Sequence, residues 1–199
     1  MLLFLALSCL AAAALGSVAV YQRGAANRLA APDGAARLPP KRMNEQKRAE
    51  ATLETLQHGD VVLDGNDDYV VVGTIGYREE QDAWALYVLD AGATKKFLEV
   101  RRKAGTVSST MFDAVADAPI HGHLGNGLTY RSKPLTVDAR GDARTTVSGE
   151  SDGRVPSLLK YARYTGPGSV LVVEEEGTSK RAYYGSPMPS DALTIYPHA

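Results

Sequence analysis

The sequence has little cysteine, few aromatic residues and almost no net charge. One of its 199 residues is a cysteine, which excludes a disulfide framework and a four-cysteine zinc site. Aromatic residues make up 7% and hydrophobic residues 44% of the chain, and charged residues 23%. These are ordinary globular values, which argue against collagen-like, wholly disordered and polytopic membrane proteins.

The net charge of −1 hides two segments of opposite sign. Residues 1–48 carry seven basic and two acidic side chains, whereas residues 49–199 carry fifteen basic and twenty-one acidic ones. The first segment therefore has a net charge of +5 and the second a net charge of −6. Because nucleic-acid-binding proteins usually carry positive charge on the folded domain, we predict no nucleic-acid partner.

Residues 1–22 contain no charged side chain. As an α-helix this segment is about 33 Å long, enough to cross a bilayer core. Seven basic residues follow it and none precedes it, so the positive-inside rule places the N-terminus outside and the rest of the chain in the cytoplasm. The sequence predicts a single-pass cell-membrane protein that contacts the membrane through a transmembrane helix at residues 1–22.

Two other readings of this segment stay open. A cleaved signal peptide normally begins with a basic region, and Met1 is followed directly by apolar residues, although the alanines at 11–14 offer a cleavage site. The residues ending at Cys9 loosely resemble a lipoprotein signal, but too few residues precede them to form its apolar region.

A basic linker rich in alanine and proline is predicted at residues 23–48. Pro39 and Pro40 favour an extended spacer there. A short helix is predicted at about residues 44–57, where Leu53 and Leu56 contribute to a limited apolar stripe, and Gly59 ends it.

The third segment, residues 49–199, is predicted to be a β-rich domain. Short β-branched and apolar runs follow one another there, separated by turns rich in glycine and aspartate. The runs lie at residues 61–63, 69–72, 84–89, 97–100, 128–131, 135–139, 145–147, 158–164, 170–175, 180–184 and 193–196.

The predicted fold is mainly β, an antiparallel barrel-like or sandwich domain, preceded by the transmembrane helix and the short helix. Trp84 and Tyr87 would lie on opposite faces of one strand, so at most one of them is expected in a core. Gly65 and Gly185 are expected to supply turns with positive φ. No convincing internal repeat is present.

Several of these segments, in this order, carry a family resemblance. They include residues 53–62, 69–73, 84–90 and 97–100, and the late segments 161–164, 171–174 and 183–185. Together they resemble the bacterial domain-of-unknown-function family forty-one seventy-eight (DUF4178) over residues 53–197. The resemblance implies a mostly β domain, often in proteins attached to membranes or encoded beside membrane-associated stress components. It implies no established activity and no catalytic residues.

Candidate metal sites are weak. Asp64-x-Asn66-x-Asp68 opens like a calcium loop, but the required glycine and glutamate are missing, so a polar turn is predicted. On a strand, His121-x-His123 would point both rings to one face, the spacing of half a zinc site; no nearby Cys, Glu or third His completes it, although Asp113 and Asp117 lie upstream and could fold back. His121 and His123 are therefore kept only as weak metal candidates, and neither a metal nor another cofactor is predicted.

No complete catalytic motif is present, and no catalytic residue is predicted. Ser157 and Lys160 have the Ser-x-x-Lys spacing of penicillin-interacting enzymes, but the other elements of that site do not follow. The acidic run at residues 174–176 is interpreted as solvated, with pairing of Glu174 and Glu176 to Lys180 and Arg181 across a hairpin.

The leading functional expectation is a membrane-anchored accessory or scaffold protein whose cytoplasmic β domain binds a protein partner. The alternative is a small-molecule or lipid-binding barrel, which an apolar cavity would favour and a filled interior would disfavour. A third alternative is a hydrolase with a dispersed site, which requires a cleft that gathers groups such as His121, His123, Asp113 or Asp117.

Overall fold

A computed structural model describes residues 51–117, 124–189 and 191–198. The predicted transmembrane helix and the linker lie outside these residues. No helix within the described ranges is long and apolar enough to span a membrane. Of the helix predicted at residues 44–57, the described part contains a 3-10 turn, Leu53–Thr55, that the Thr52 and Thr55 side chains cap reciprocally.

The described domain is built from eleven strands, and every pairing between them is antiparallel. The first five are β1 Val61–Asp64, β2 Asp67–Glu79, β3 Asp82–Asp90, β4 Lys95–Lys103 and β5 Thr106–Val115. The other six are β6 Gly127–Tyr130, β7 Lys133–Gly149, β8 Leu158–Gly166, β9 Ser169–Glu176, β10 Ser179–Met188 and β11 Leu193–Tyr196.

Eight of these strands close into an antiparallel barrel. Their order around the barrel is β2-β3-β4-β5-β10-β9-β8-β7, and β7 pairs back onto β2. The closing seam runs from Gly73 opposite Gly149 to Arg78 opposite Arg144. The expected mainly β, antiparallel fold is confirmed, and the barrel is the architecture that forms.

The same arrangement of five strands, called here the duplicated plan, occurs twice in succession, in β1–β5 and in β6–β10. Each unit begins with a four-residue strand and a tight turn, followed by a long strand, β2 or β7. The starts of β6 and β7 follow those of β1 and β2 by 66 residues, and the register of the long strands shifts after Val71 and after Val137. The duplication lies in strand order and register rather than in residue identity.

The register shift in β2 moves its buried side chains from one side of the barrel wall to the other. Val71 pairs with Leu89 whereas Gly73 pairs with Val88, so the two pairs lie on opposite faces. Residues after the shift, such as Ile75, belong to the cluster inside the barrel. Val71 packs in a second cluster with Leu193 of β11, and residues of β6–β10 form a third.

Trp84 and Tyr87 are therefore both core residues, and the expectation that at most one would be buried is wrong. Trp84 lies in the interior cluster and is 8% exposed, whereas Tyr87 lies in the second cluster and is 4% exposed. Both are buried because side chains pack on both faces of the wall at β3.

The turn expected at Gly185 is also wrong, since this residue lies within β10. A Cβ placed on it would lie 1.8 Å from the Met111 carbonyl oxygen of β5, so close approach of two backbones requires glycine here. Gly65 does have a positive φ, of 62°, as predicted.

Candidate functional site

The interior of the barrel is filled with side chains. Thirteen buried residues form the interior cluster, among them Tyr77, Trp84, Tyr161 and Tyr183. The space left between Tyr77, Trp84 and Tyr183 is about 10 Å³, no more than one water molecule requires. The described barrel therefore encloses no cavity there large enough for an organic ligand.

Glu174 of β9 is one of two carboxylates buried inside this wall. Its side chain is 4% exposed, and it accepts hydrogen bonds from the Tyr77 hydroxyl and from Arg181 Nε. Arg181 lies directly opposite Glu174 on β10. The predicted pairing with Arg181 is confirmed, but the solvated interpretation of Glu174 is wrong because strand alternation turns this carboxylate inward.

Glu99 of β4 is the second buried carboxylate and is 3% exposed. It accepts a hydrogen bond from Arg163 Nη1, and its Oε2 lies 2.9 Å from Arg101 Nε. The two carboxylates occupy equivalent places in the duplicated plan, since Glu99 pairs with Leu86 and Glu174 pairs with Tyr161. Each unit thus places one arginine-paired glutamate in the third strand of its part of the barrel wall.

The buried tyrosines beside these carboxylates hold their protons tightly. Burial, followed by the neighbouring Glu174 carboxylate, raises the pKa of Tyr77 well above its ordinary value, and the same two causes raise the pKa of Tyr183. Burial, followed by a hydrogen bond to Glu79, raises the pKa of Tyr161. These phenols stay neutral at physiological pH, so they lack the lowered pKa of an activated base or nucleophile.

An open cleft lies at the end of the barrel where β2 ends and β3 begins. Its volume is about 460 Å³, within the range of ligand-binding pockets in proteins. The cleft is lined by Glu79, Asp82, Ala83, Trp84, Arg101, Arg102, Lys103, Ser108, Asp138, Ala139, Arg140, Tyr161 and Arg163.

The Arg101 guanidinium lies over the Trp84 ring in this cleft. The guanidinium carbon lies 3.9 Å from the centroid of the Trp84 ring and 5.9 Å from that of Tyr161. The other face of Trp84 stacks in parallel on Tyr77, with centroids 5.1 Å apart. Arg101 Nη2 is buried and donates no hydrogen bond to any described residue, which leaves a buried donor unsatisfied beside the cleft.

The cleft gathers charges of both signs, and its cations differ in whether a carboxylate neutralises them. The cleft residues include five cations and three carboxylates, whereas residues 49–199 carry an excess of six acidic side chains. Arg102 pairs with Glu54, and Arg140 donates to the neutral amide of Asn126. Lys103 forms no ion pair with a described residue.

A glycine in β7 makes room for one of the cleft carboxylates. A Cβ placed on Gly141 would lie 1.7 Å from Glu79 Oε1. The other oxygen of Glu79 accepts a hydrogen bond from the Tyr161 hydroxyl. Gly141 thus lets Glu79 reach across from β2 and hold the Tyr161 ring beside Arg101.

Of the residues proposed from sequence, the two described aspartates have separate partners. His121 and His123 lie outside the described residues. Asp113 pairs with Lys96 at 2.6 Å, and Asp117 accepts a hydrogen bond from Tyr130 at 2.8 Å. No group of three metal-ligating side chains occurs among the described residues, and the weak calcium-like motif forms the turn between β1 and β2.

The sequence analysis missed the cleft because its residues come from separate strands. One local signal was available: period-two alternation places Phe97, Glu99 and Arg101 of β4 on one face. A charged pair that follows an aromatic residue on an inward face indicates a polar site within a barrel. The partners Arg163 and Tyr161 come from β8, some sixty residues away, and no local pattern indicates that they lie near β4.

Comparison with known proteins places the fold in a family. No curated protein and no solved structure matches the chain. The family model described as Domain of unknown function (DUF4178) matches residues 57–190. The matched range covers about two thirds of the chain and includes all eight barrel strands. The chain therefore belongs to the DUF4178 family, as its segment order suggested.

Proposed function

We propose that this protein is a membrane-anchored accessory or scaffold protein whose β domain binds a protein partner at the open end of the barrel. The observation that carries the proposal is the contrast between two spaces. The interior void is about 10 Å³, whereas the cleft at the barrel end is about 460 Å³. A filled barrel presents a rigid surface to a partner, and the cleft offers aromatic and arginine side chains of the kind enriched at protein interfaces.

The membrane part of the proposal rests on charge distribution in the sequence. Residues 1–22 are uncharged, and the basic side chains of the first segment all follow them. In the proposed arrangement this segment crosses the cell membrane with the N-terminus outside, residues 23–48 form a spacer, and the β domain lies in the cytoplasm. A role in a membrane-associated stress system would follow what the family resemblance implies.

The filled interior disfavours a small-molecule or lipid-binding barrel, because such proteins need an apolar cavity inside the wall. A hydrolase would need a cleft that gathers acid and base groups. Asp113 and Asp117 instead have different partners on the described domain.

Site-specific photocrosslinking in native membranes tests the proposal. A photoreactive residue at Ser108, in the cleft, should give a discrete adduct with a second protein, and the adduct should sediment with membranes until detergent is added. The same residue at Lys133, which is exposed and outside the cleft, is the matched control. Identical adducts from both positions, or none from position 108, would contradict partner binding at the cleft.

A further inference from the structure

The side chains of the cleft point to a ligand class. We infer that the cleft binds an acidic peptide segment, with one carboxylate held by Arg101 and neighbouring acidic groups placed near Lys103 and Arg140. This inference rests on the proposed function and specifies the chemistry of the partner that the cleft recognises.

Arg101 supplies the central contact. A planar guanidinium binds a carboxylate through two parallel hydrogen bonds, and stacking on an aromatic ring fixes its plane in advance. Here Trp84 provides that ring at 3.9 Å, and Nη2 has no hydrogen-bond acceptor among the described residues. An incoming carboxylate therefore meets a guanidinium that Trp84 already positions, which lowers the entropy lost on binding.

The remaining cations determine how many acidic groups are recognised. Arg163 is neutralised by Glu99 and approached by Asp138, and Arg102 is neutralised by Glu54. Lys103 has no carboxylate partner in the described part of the chain, and the contacts of Arg140 are to neutral oxygens. Two uncompensated cations thus flank Arg101, which favours a ligand with several carboxylates over an isolated one.

The three carboxylates of the cleft favour a peptide over a phosphate polymer. Glu79, Asp82 and Asp138 would repel an unbroken chain of phosphates, because like charges at an interface oppose binding. An extended peptide instead presents backbone N–H groups between its acidic side chains. Those N–H groups can donate to the cleft carboxylates, while the acidic side chains between them contact the cleft cations. The mixed charges of the cleft therefore match the side chains and N–H groups that alternate along an acidic peptide.

The charge of the whole domain opposes binding of any long polyanion and limits an acidic ligand to a short segment. Residues 49–199 have a net charge of −6, which disfavours approach to nucleic acid and to an anionic leaflet. A short acidic segment that enters the cleft meets Lys103 and Arg140, which have no carboxylate partner among the described residues, while salt screens the rest of the domain beyond about 8 Å.

Intrinsic fluorescence tests this inference directly, because Trp84 is the only tryptophan in the chain and lies in the cleft. Full-length protein in nonionic detergent micelles is titrated with hexaglutamate at low salt, and hexaglutamine serves as the neutral control. A ligand that draws Arg101 away from the Trp84 ring changes the emission. The expected result is a saturable change with hexaglutamate and none with hexaglutamine.

Three variants locate the binding. Arg101→Gln should weaken hexaglutamate binding at least about tenfold, equivalent to about 1.4 kcal/mol. Lys103→Gln should weaken it about threefold, as expected for one exposed ion pair. The Lys103 side chain has no structural partner in the described domain, so that variant stays informative if Arg101→Gln fails to fold. Lys133→Gln removes a charge outside the cleft and should leave the affinity unchanged.

The inference is overturned if hexaglutamate produces no saturable change, or if Arg101→Gln and Lys103→Gln bind it like the unaltered protein. Tighter binding of oligothymidylate or of vesicles rich in phosphatidylglycerol would also overturn it, in favour of a phosphate ligand. A discrete photoadduct from position 108 without hexaglutamate binding would reject the acidic ligand and leave partner binding at the cleft standing.

Discussion

Glu99 and Glu174 are buried charges, and their partners determine whether the barrel tolerates them. A buried carboxylate is costly unless hydrogen bonds and an opposite charge compensate for the lost hydration. Glu174 has both, from Tyr77 and Arg181, and Glu99 has two arginines. Removal of a single partner should therefore destabilise the fold more than the lost contact alone suggests.

Tyr77→Phe tests this expectation by removing a single oxygen atom. The substitution removes the hydroxyl that donates to Glu174 Oε1 and leaves that oxygen buried without this donor. We expect a loss of about 2–3 kcal/mol in the free energy of unfolding, because the acceptor is charged. Urea denaturation measures this loss. Tyr196→Phe is the matched control, since Tyr196 is 55% exposed, and its stability should change by less than about 0.5 kcal/mol. Equal stability of the two variants would contradict the role of the Tyr77 hydroxyl.

Sequence reasoning reached only part of this arrangement. Period-two alternation correctly paired Glu174 with Arg181 across a hairpin. Alternation did not show whether the strand face that carries Glu174 points into the barrel, because that depends on how the sheet closes. Tyr77, the other partner of Glu174, lies 97 residues away in sequence, beyond the reach of any local pattern.

Among the strands, β5 is the one that the sequence analysis missed, and its environment explains why. Its inward positions include Ser108 and Thr110, which pair with Arg101 and Glu99 of β4. β5 therefore lacks the alternation of apolar and polar residues that predicts a strand. Polar residues fit there because Arg163 Nη2 donates to the Thr110 hydroxyl at 3.3 Å. Strands that line a polar interior are harder to predict than strands that line an apolar one.

β7 was predicted as two strands and forms one of seventeen residues. The sequence breaks its apolar pattern at Gly141, which looks like a turn residue. In the barrel this glycine accommodates the Glu79 carboxylate from β2. Sequence pattern alone does not distinguish a glycine required for the close approach of another strand from a glycine required for a turn.

The seam between β2 and β7 is the element on which closure depends. A Cβ placed on Gly73 would lie 1.8 Å from the Glu150 carbonyl oxygen. That oxygen belongs to the backbone, so the seam must shift to admit a methyl group. We expect Gly73→Ala to lower the free energy of unfolding by about 3 kcal/mol, as measured by denaturation in urea.

Gly76→Ala is the control for this substitution, because Gly76 lies in the same strand and faces the same seam. Its nearest neighbour would be the Thr146 hydroxyl at 2.7 Å, the end of a side chain that can rotate away. Gly76→Ala should therefore lower the free energy of unfolding clearly less than Gly73→Ala does. A Gly73→Ala variant as stable as Gly76→Ala would show that the backbones at the seam lie farther apart than described.

At the scale of the whole molecule, the composition predicted one β domain with its own core but not the barrel closure. Closure depends on the pairing of β2 with β7, strands whose paired residues lie about seventy positions apart. The apolar runs are equally compatible with two packed sheets. The duplication could not be predicted from sequence for a similar reason. The register shifts recur at equivalent positions of β2 and β7, but the sequence contains no recognisable repeat.

The buried tyrosines give the domain a predicted response to alkali. The pKa values of Tyr77, Tyr161 and Tyr183 are raised on folding, so the folded state retains protons that the unfolded state releases. Their contribution to stability is complete below the ordinary tyrosine pKa of about 10 and is lost as the pH rises above it. Denaturation at pH 8 and pH 11 should show lower stability at pH 11. Equal stability at both values would contradict the tyrosine burial.

Binding of an acidic peptide at one end of the filled barrel can be observed residue by residue. The most direct measurement is a ¹H–¹⁵N spectrum of the full-length protein in micelles, titrated with hexaglutamate. Binding at the cleft should give saturable shifts of the Trp84 indole N–H and of amides lining the cleft, while the amides of β1 and β11 stay in place. An unshifted Trp84 indole at saturating peptide, or shifts centred on the turn at Lys133, would contradict it.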